Sequence, residues 1–127
     1  MVIEWLQFRV DETAVEEFIE RDREIWTAAL EQYPGFIKKE VWTNPNDPAQ
    51  VIVIVYWQTI EQWHAIPADA LAVTEAEFNT AMGDGQGHGE AKRYELVTVN
   101  TYTLADHQEP QLSLLYSLTD SPPSIES

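Results

Sequence analysis

Residues 51–57 read VIVIVYW. So long an apolar, β-branched run reads as a strand, and a strand that is apolar on both sides needs a cover on each. Successive side chains of a strand point to opposite faces. Val51, Val53, Val55 and Trp57 therefore share one face, and Ile52, Ile54 and Tyr56 share the other. Any fold this chain adopts has to bury both.

The flanking segments supply the first cover. Val2–Val10 alternates with period two, Ile3 and Trp5 on one side and Leu6 and Phe8 on the other, which predicts a first strand. The segment DETAVEEFIERDREIWTAALEQY comes next, with Asp11 or Thr13 as N-cap and Thr13 and Glu16 spaced as a capping box. Its Val15, Phe18, Ile19, Ile25, Trp26, Ala29, Leu30 and Tyr33 recur at helical spacing, and YPGF ends the helix. Residues 36–43 and 50–58 read as two strands joined by NPNDP, whose Asn, Asp and Pro residues suit a turn. Thr59 and Gln62 open a short helix through Trp63 and His64 that Pro67 interrupts. Leu71, Thr74, Phe78 and Met82 continue on one helical face, and residues 94–104 form the last strand.

The order βαββαβ predicts an α+β, ferredoxin-like domain over residues 1–104, a four-stranded antiparallel sheet with both helices on one face. Its other face needs the second cover, and an identical sheet from a second copy is the simplest one, so a homodimer is the expected partner. Residues 105–127 form a C-terminal extension. Its Leu112, Leu114, Leu115, Tyr116 and Leu118 are expected to dock as a further cover, whereas DSPPSIES has the composition of a disordered end.

At 127 residues the chain suits one domain. Its net charge of −15 repels nucleic acid and anionic lipid, and neither is an expected partner. The absence of cysteine excludes disulfides and thiolate chemistry. The hydrophobic runs are too short to cross a bilayer, and the opening MVIEWLQFRV has no basic region ahead of an apolar one, so no membrane association and a cytoplasmic location are expected.

The glycine-rich stretch MGDGQGHGEAKR, residues 82–93, invites a phosphate reading. Phosphate loops lead from a strand into a helix N-terminus, whereas this one leaves a helix, and His88 stands where the third glycine of G-x-G-x-x-G would fall. Asp84, His88 and Glu90 offer metal-ligand types, but on a flexible loop. The stretch reads as Gly83 capping a helix C-terminus and then a hinge, with no metal site and no cofactor expected.

Asp22 lies one turn from Phe18, Ile19, Ile25 and Trp26, which puts a carboxylate on an apolar stripe. It serves either as a general base in the space between helix and sheet or as a structural acceptor for a Trp N–H or Lys38. His64 is the second catalytic candidate, a proton carrier at a pocket rim if it is not simply exposed. Trp26, Trp57 and Trp63 are the candidate ligand-binding walls among residues that mostly build core. Glu4 and Glu40 fall among apolar strand neighbours, with Lys38 and Lys39 placed for cross-strand pairing.

The βαββαβ order, YPGF after the first helix and a tryptophan closing strand three in VIVIVYWQTIEQW resemble the dimeric α+β barrel, or antibiotic-biosynthesis-monooxygenase-like, superfamily over residues 2–104. The segment IWTAALEQYPGFIKKEVWTNPNDP is more similar still to a subgroup of small uncharacterised proteins within it. The resemblance implies paired sheets forming a dimeric α+β barrel, with a ligand cavity between sheet and helices. It also implies a range of activities, from cofactor-independent oxygenation to haem degradation to none. Haem-degrading relatives use an asparagine on strand one, a tryptophan near the second helix and a histidine about ten residues further on. Here strand one has no Asn and no His lies between His64 and His88, so Trp63 alone corresponds and haem degradation is disfavoured. The leading expectation is a noncatalytic small-molecule binding or assembly module. The alternative is a cofactor-independent monooxygenase-like enzyme acting on a small aromatic or apolar substrate, with Asp22 or His64 removing a proton.

Overall fold

The computed structural model describes residues 1–83 and 92–108. Four strands, β1 (Val2–Val10), β2 (Phe36–Asn44), β3 (Asp47–Trp57) and β4 (Tyr94–Thr103), form one antiparallel sheet in the order β2-β3-β1-β4. The helix after β1 leads to β2, and β3 is inserted between those two strands, which is the split βαβ arrangement of an α+β ferredoxin-like fold.

The first helix, α1, is composite. A 3₁₀ turn (Glu12–Ala14) leads into an α-helical segment (Val15–Arg21), a π-helical segment (Asp22–Thr27) and a final α turn (Ala28–Leu30). Of the two N-cap candidates Asp11 is the cap, accepting from the Thr13 N–H at 2.9 Å and the Thr13 hydroxyl at 2.7 Å. After β3, Thr59 caps α2 (Ile60–His64) by accepting from the Gln62 N–H at 3.1 Å. Pro67 then separates α2 from α3 (Ala68–Met82). Gly83 ends α3 in the left-handed region, with φ of 71°, as a C-cap glycine does. The rest of the glycine-rich loop, including Asp84, His88 and Glu90, lies outside the described residues, as do residues 109–127 of the extension.

The β3 pattern holds residue by residue. Val51, Val53, Val55 and Trp57 are buried beneath the helices, while Ile52, Ile54 and Tyr56 on the outer face are half-buried. The inner side chains join Val2, Val10, Phe18, Leu30, Phe78 and Met82 in one core. At one end of it Phe18, Phe78 and Tyr94 meet with ring centroids 5.3–5.4 Å apart, and Phe8 stands 5.1 Å from Phe18. Arg93 ties the start of β4 to this end, donating to the Met82 carbonyl at 2.5 Å and to Glu17 at 2.6 Å.

Among the described residues no element covers the outer face. Trp42 is 56 % exposed there and Tyr102 52 %. Among the described residues, too, no helix is long and apolar enough to cross a membrane.

Candidate functional site

Between the helices and the inner face of the sheet lies a cavity of about 420 Å³, within the usual range for small-molecule sites. Glu4, Leu6 and Phe8 of β1, Lys39 of β2, Val53 and Val55 of β3, and Tyr94 and Leu96 of β4 form its floor. Phe18, Asp22, Trp26 and Leu30 of α1 form one wall, and Trp63, Ile66, Leu71 and Phe78 help form the other. Ala68, Ala72, Glu75 and Leu96 line it and are also exposed, so it opens to solvent beside the first half of α3.

The α1 wall repeats every four residues, at 18, 22, 26 and 30. An ideal α-helix with 3.6 residues per turn drifts by about 40° for each such step and would carry the later members off the cavity. The π-helical segment, with its wider turn, takes up that drift between Asp22 and Thr27. Single π turns inside α-helices recur at functional sites, and this one begins at the candidate acid.

Asp22 and Lys39 form a buried ion pair, Nζ to Oδ2 at 2.6 Å, with side chains 7 % and 3 % exposed. Burial pushes the Asp22 carboxyl above its ordinary value and the Lys39 ammonium below its own, and in each case the partner's charge opposes the shift. Glu4 completes the cluster. It and Lys39 both register with Val55, from opposite sides of β3, so their backbones stand about 10 Å apart and their side chains converge above that residue. Burial raises the Glu4 carboxyl and the charge of Lys39 lowers it, with burial the larger effect.

Lys39, and not Lys38, partners Asp22, because β2 carries a bulge. Its register against β3 shifts between Phe36 and Lys38, which leaves Ile37 exposed and reverses the parity of the residues after it. Phe36, Lys39 and Val41 consequently face inward. Lys38 turns to the outer face, where it pairs with Glu40 at 3.2 Å and sits 4.6 Å from the centroid of the Tyr56 ring. Glu40 also accepts from the Tyr56 hydroxyl at 2.8 Å. The cross-strand charge pairing expected of these residues does not form: Glu40 pairs with Lys38 of its own strand and reaches β3 only through the Tyr56 hydroxyl, and Glu4, two strands from β2, belongs to the cavity.

The other candidates separate cleanly. Trp26 and Trp63 line the cavity. Trp57 does not: it is fully buried in the core, edge-on to Phe36 at 5.8 Å between ring centroids, and its Nε1 has no hydrogen-bond partner among the described residues. His64 is exposed, its ring 5.0 Å from that of Trp63, and it does not line the cavity. Adjacent helical positions point some 100° apart, and Trp63 took the inward one. Helical spacing locates Asp22 but passes over Glu4 and Lys39. Glu4 shares its parity with Val2, Leu6 and Phe8, a signal readable in the sequence; the inward turn of Lys39 depends on the bulge.

The architecture and the site can be set against known proteins. A comparison with curated protein sequences finds no match. Among solved structures, SnoaB from Streptomyces nogalater, a cofactor-independent oxygenase, aligns over 87% of this chain and 97% of its own at 18% identity, with a TM-score of 0.53. MhuD, a haem degrader from Mycobacterium tuberculosis whose structure has two haems bound in its active site, aligns over 86% of this chain and 100% of its own at 16% identity, with a TM-score of 0.60. A conserved protein from Methanosarcina mazei aligns over 80% and 89% at 15% identity, with a TM-score of 0.56. At these identities the likenesses establish the fold. The profile of the antibiotic biosynthesis monooxygenase family matches residues 1–66, which span β1 through α2 and so include Glu4, Asp22, Lys39 and Trp63. With more than half of its length under that profile, the chain belongs to the antibiotic biosynthesis monooxygenase family.

Proposed function

We propose that this protein binds a small aromatic or apolar molecule in the cavity between α1, α3 and the sheet, and does so as a homodimer joined through the outer sheet face. The observation that carries the reading is the cavity itself, about 420 Å³ of mostly apolar and aromatic lining around one buried charged cluster. A pure assembly module has no need of such a space, since filling it would add stability. Trp26 and Trp63 supply flat walls, and Glu4, Asp22 and Lys39 supply the few polar groups that orient a ligand.

Haem suits this lining poorly. Three carboxylates, Glu4, Asp22 and Glu75, face the space against one lysine that is already paired, and among the described residues no histidine lines it. The propionates would find little counter-charge and the iron no imidazole.

A second reading, cofactor-independent oxygenation, draws on Asp22. A carboxylate made more basic by burial, at the edge of an apolar space, is placed to take a proton from an activated C–H. The resulting carbanion can pass electrons to O₂, and conversion of the CH₂ to a carbonyl with release of water draws every electron from the substrate. Noncatalytic binding ranks first because no convergent set of base and oxyanion donors accompanies Asp22 among the described residues.

Native mass spectrometry of the untagged protein from its host's lysate tests the binding reading. One small-molecule adduct per chain is expected, lost in a folded Leu71→Trp variant that fills the cavity. An adduct unaffected by that substitution would place the ligand elsewhere. Oxygen uptake with phenols and quinols, abolished by Asp22→Asn, would promote the enzymatic reading over the binding one.

A further inference from the structure

We infer that the cavity selects a ligand whose aromatic body carries a protonated nitrogen, an arylalkylamine-type cation, and that Glu4 is the residue that holds that nitrogen. The inference rests on the small-molecule reading above and specifies its ligand.

Charge and vacant acceptors point to a cation. Among the described residues the lining holds carboxyl groups from Glu4, Asp22 and Glu75 and a single ammonium, that of Lys39. Lys39 is committed to Asp22 at 2.6 Å in a pair that is almost wholly out of water. Glu4 accepts no hydrogen bond from any described residue, although most of its side chain is withdrawn from bulk solvent. With both carboxylates ionised, the Glu4, Asp22 and Lys39 cluster carries one uncompensated negative charge.

Three classes of ligand meet that charge differently. An anion is repelled by Glu4 and has to compete with Asp22 for Lys39. A neutral aromatic displaces the water that solvates Glu4 and leaves the carboxylate without a partner, at a desolvation cost. A cation brings the cluster to neutrality and donates to the vacant acceptor in a charge-assisted hydrogen bond. The faces of Trp26 and Trp63 suit the same ligand, because indole rings attract cations, and the net charge of −15 raises the encounter rate of cations with the mouth.

Calorimetry on the full chain at low ionic strength, with tryptamine, tryptophol and indole-3-propionate, decides the matter. The three share an indole and differ in the end group: ammonium, hydroxyl and carboxylate. Tryptamine is expected to bind at least ~10-fold tighter than tryptophol, one decade being a modest return for a partly desolvated ion pair, with indole-3-propionate the weakest. Glu4→Gln is expected to bring the amine-to-alcohol ratio close to one. Tryptophol or indole-3-propionate binding as tightly as tryptamine would overturn the inference and leave the pocket reading standing, as would a ratio that survives Glu4→Gln. Failure of all three to bind at millimolar concentration would overturn both. The wild-type ranking needs no variant, so a Glu4→Gln chain that did not fold would not rescue the inference.

Discussion

Glu4, Asp22 and Lys39 are three ionisable side chains among apolar neighbours, and burial strips each of part of its hydration. The sign of the effect at Glu4 is testable. Its carboxyl is raised in the folded state above the ordinary value of 4.5, so the unfolded chain releases that proton at lower pH than the native one does. Stability contributed by this group is therefore lost as pH rises from about 4.5 through the folded value, and is regained on acidification. Glu4→Gln removes the penalty. Urea unfolding should find this variant more stable than wild type at pH 7, with the advantage disappearing below pH ~4. An advantage that grows at low pH would mean that the carboxylate is stabilised by its surroundings, and one that stays constant that folding leaves its proton affinity unchanged. Such a gain from removing a native side chain is what a residue kept for binding predicts.

At the scale of elements, departures from regular geometry place the site. The π-helical segment keeps Phe18, Asp22, Trp26 and Leu30 on one wall, and the β2 bulge turns Lys39 toward them. Two glycines show how differently a turn can be constrained. Gly83 has φ of 71°, but a Cβ there would meet nothing within 4 Å, whereas at Gly35, with φ of 93°, it would lie 2.5 Å from the Gln62 side chain of α2. Gly83→Ala should thus cost only the left-handed backbone contribution, about 1–2 kcal/mol. Gly35→Ala should cost more, because it adds a clash between the YPGF turn and α2. Equal losses in parallel denaturant titrations would show that Gln62 swings aside without consequence.

For the whole molecule the outer sheet face is decisive. Trp5, Trp42, Ile52, Ile54 and Tyr56 give it an apolar centre that the described residues leave open, and contiguous patches of this kind mark interfaces. In the proposed dimer the two faces meet across a two-fold axis, so a single substitution enters the interface twice. Ile54→Lys should convert the dimer to a folded monomer in sedimentation velocity at micromolar concentration, with the Asp22 and Lys39 pair on the opposite face undisturbed. A wild-type monomer under the same conditions would remove the dimer from the proposal. The cavity faces away from this surface, so ligand binding and association are expected to be separable by mutation.

Periodicity alone determined a good deal here. The apolar run at 51–57, the Thr59 cap and the YPGF and NPNDP turns are local signals, and local backbone preference with alternation suffices to read βαββαβ and a sheet with two apolar faces from them. Asp22 was legible for the same reason, as a carboxylate out of place on a helical stripe. The tertiary structure alone decided that Lys39 and not Lys38 meets it, that Glu4 joins them across β3 and that Trp57 packs against Phe36 in the core. Each of these turns on a one-residue change of parity or on the juxtaposition of strands distant in sequence. Periodicity has no knowledge of either, because a bulge or a π turn is favoured by the packing it permits and not by the residues that form it.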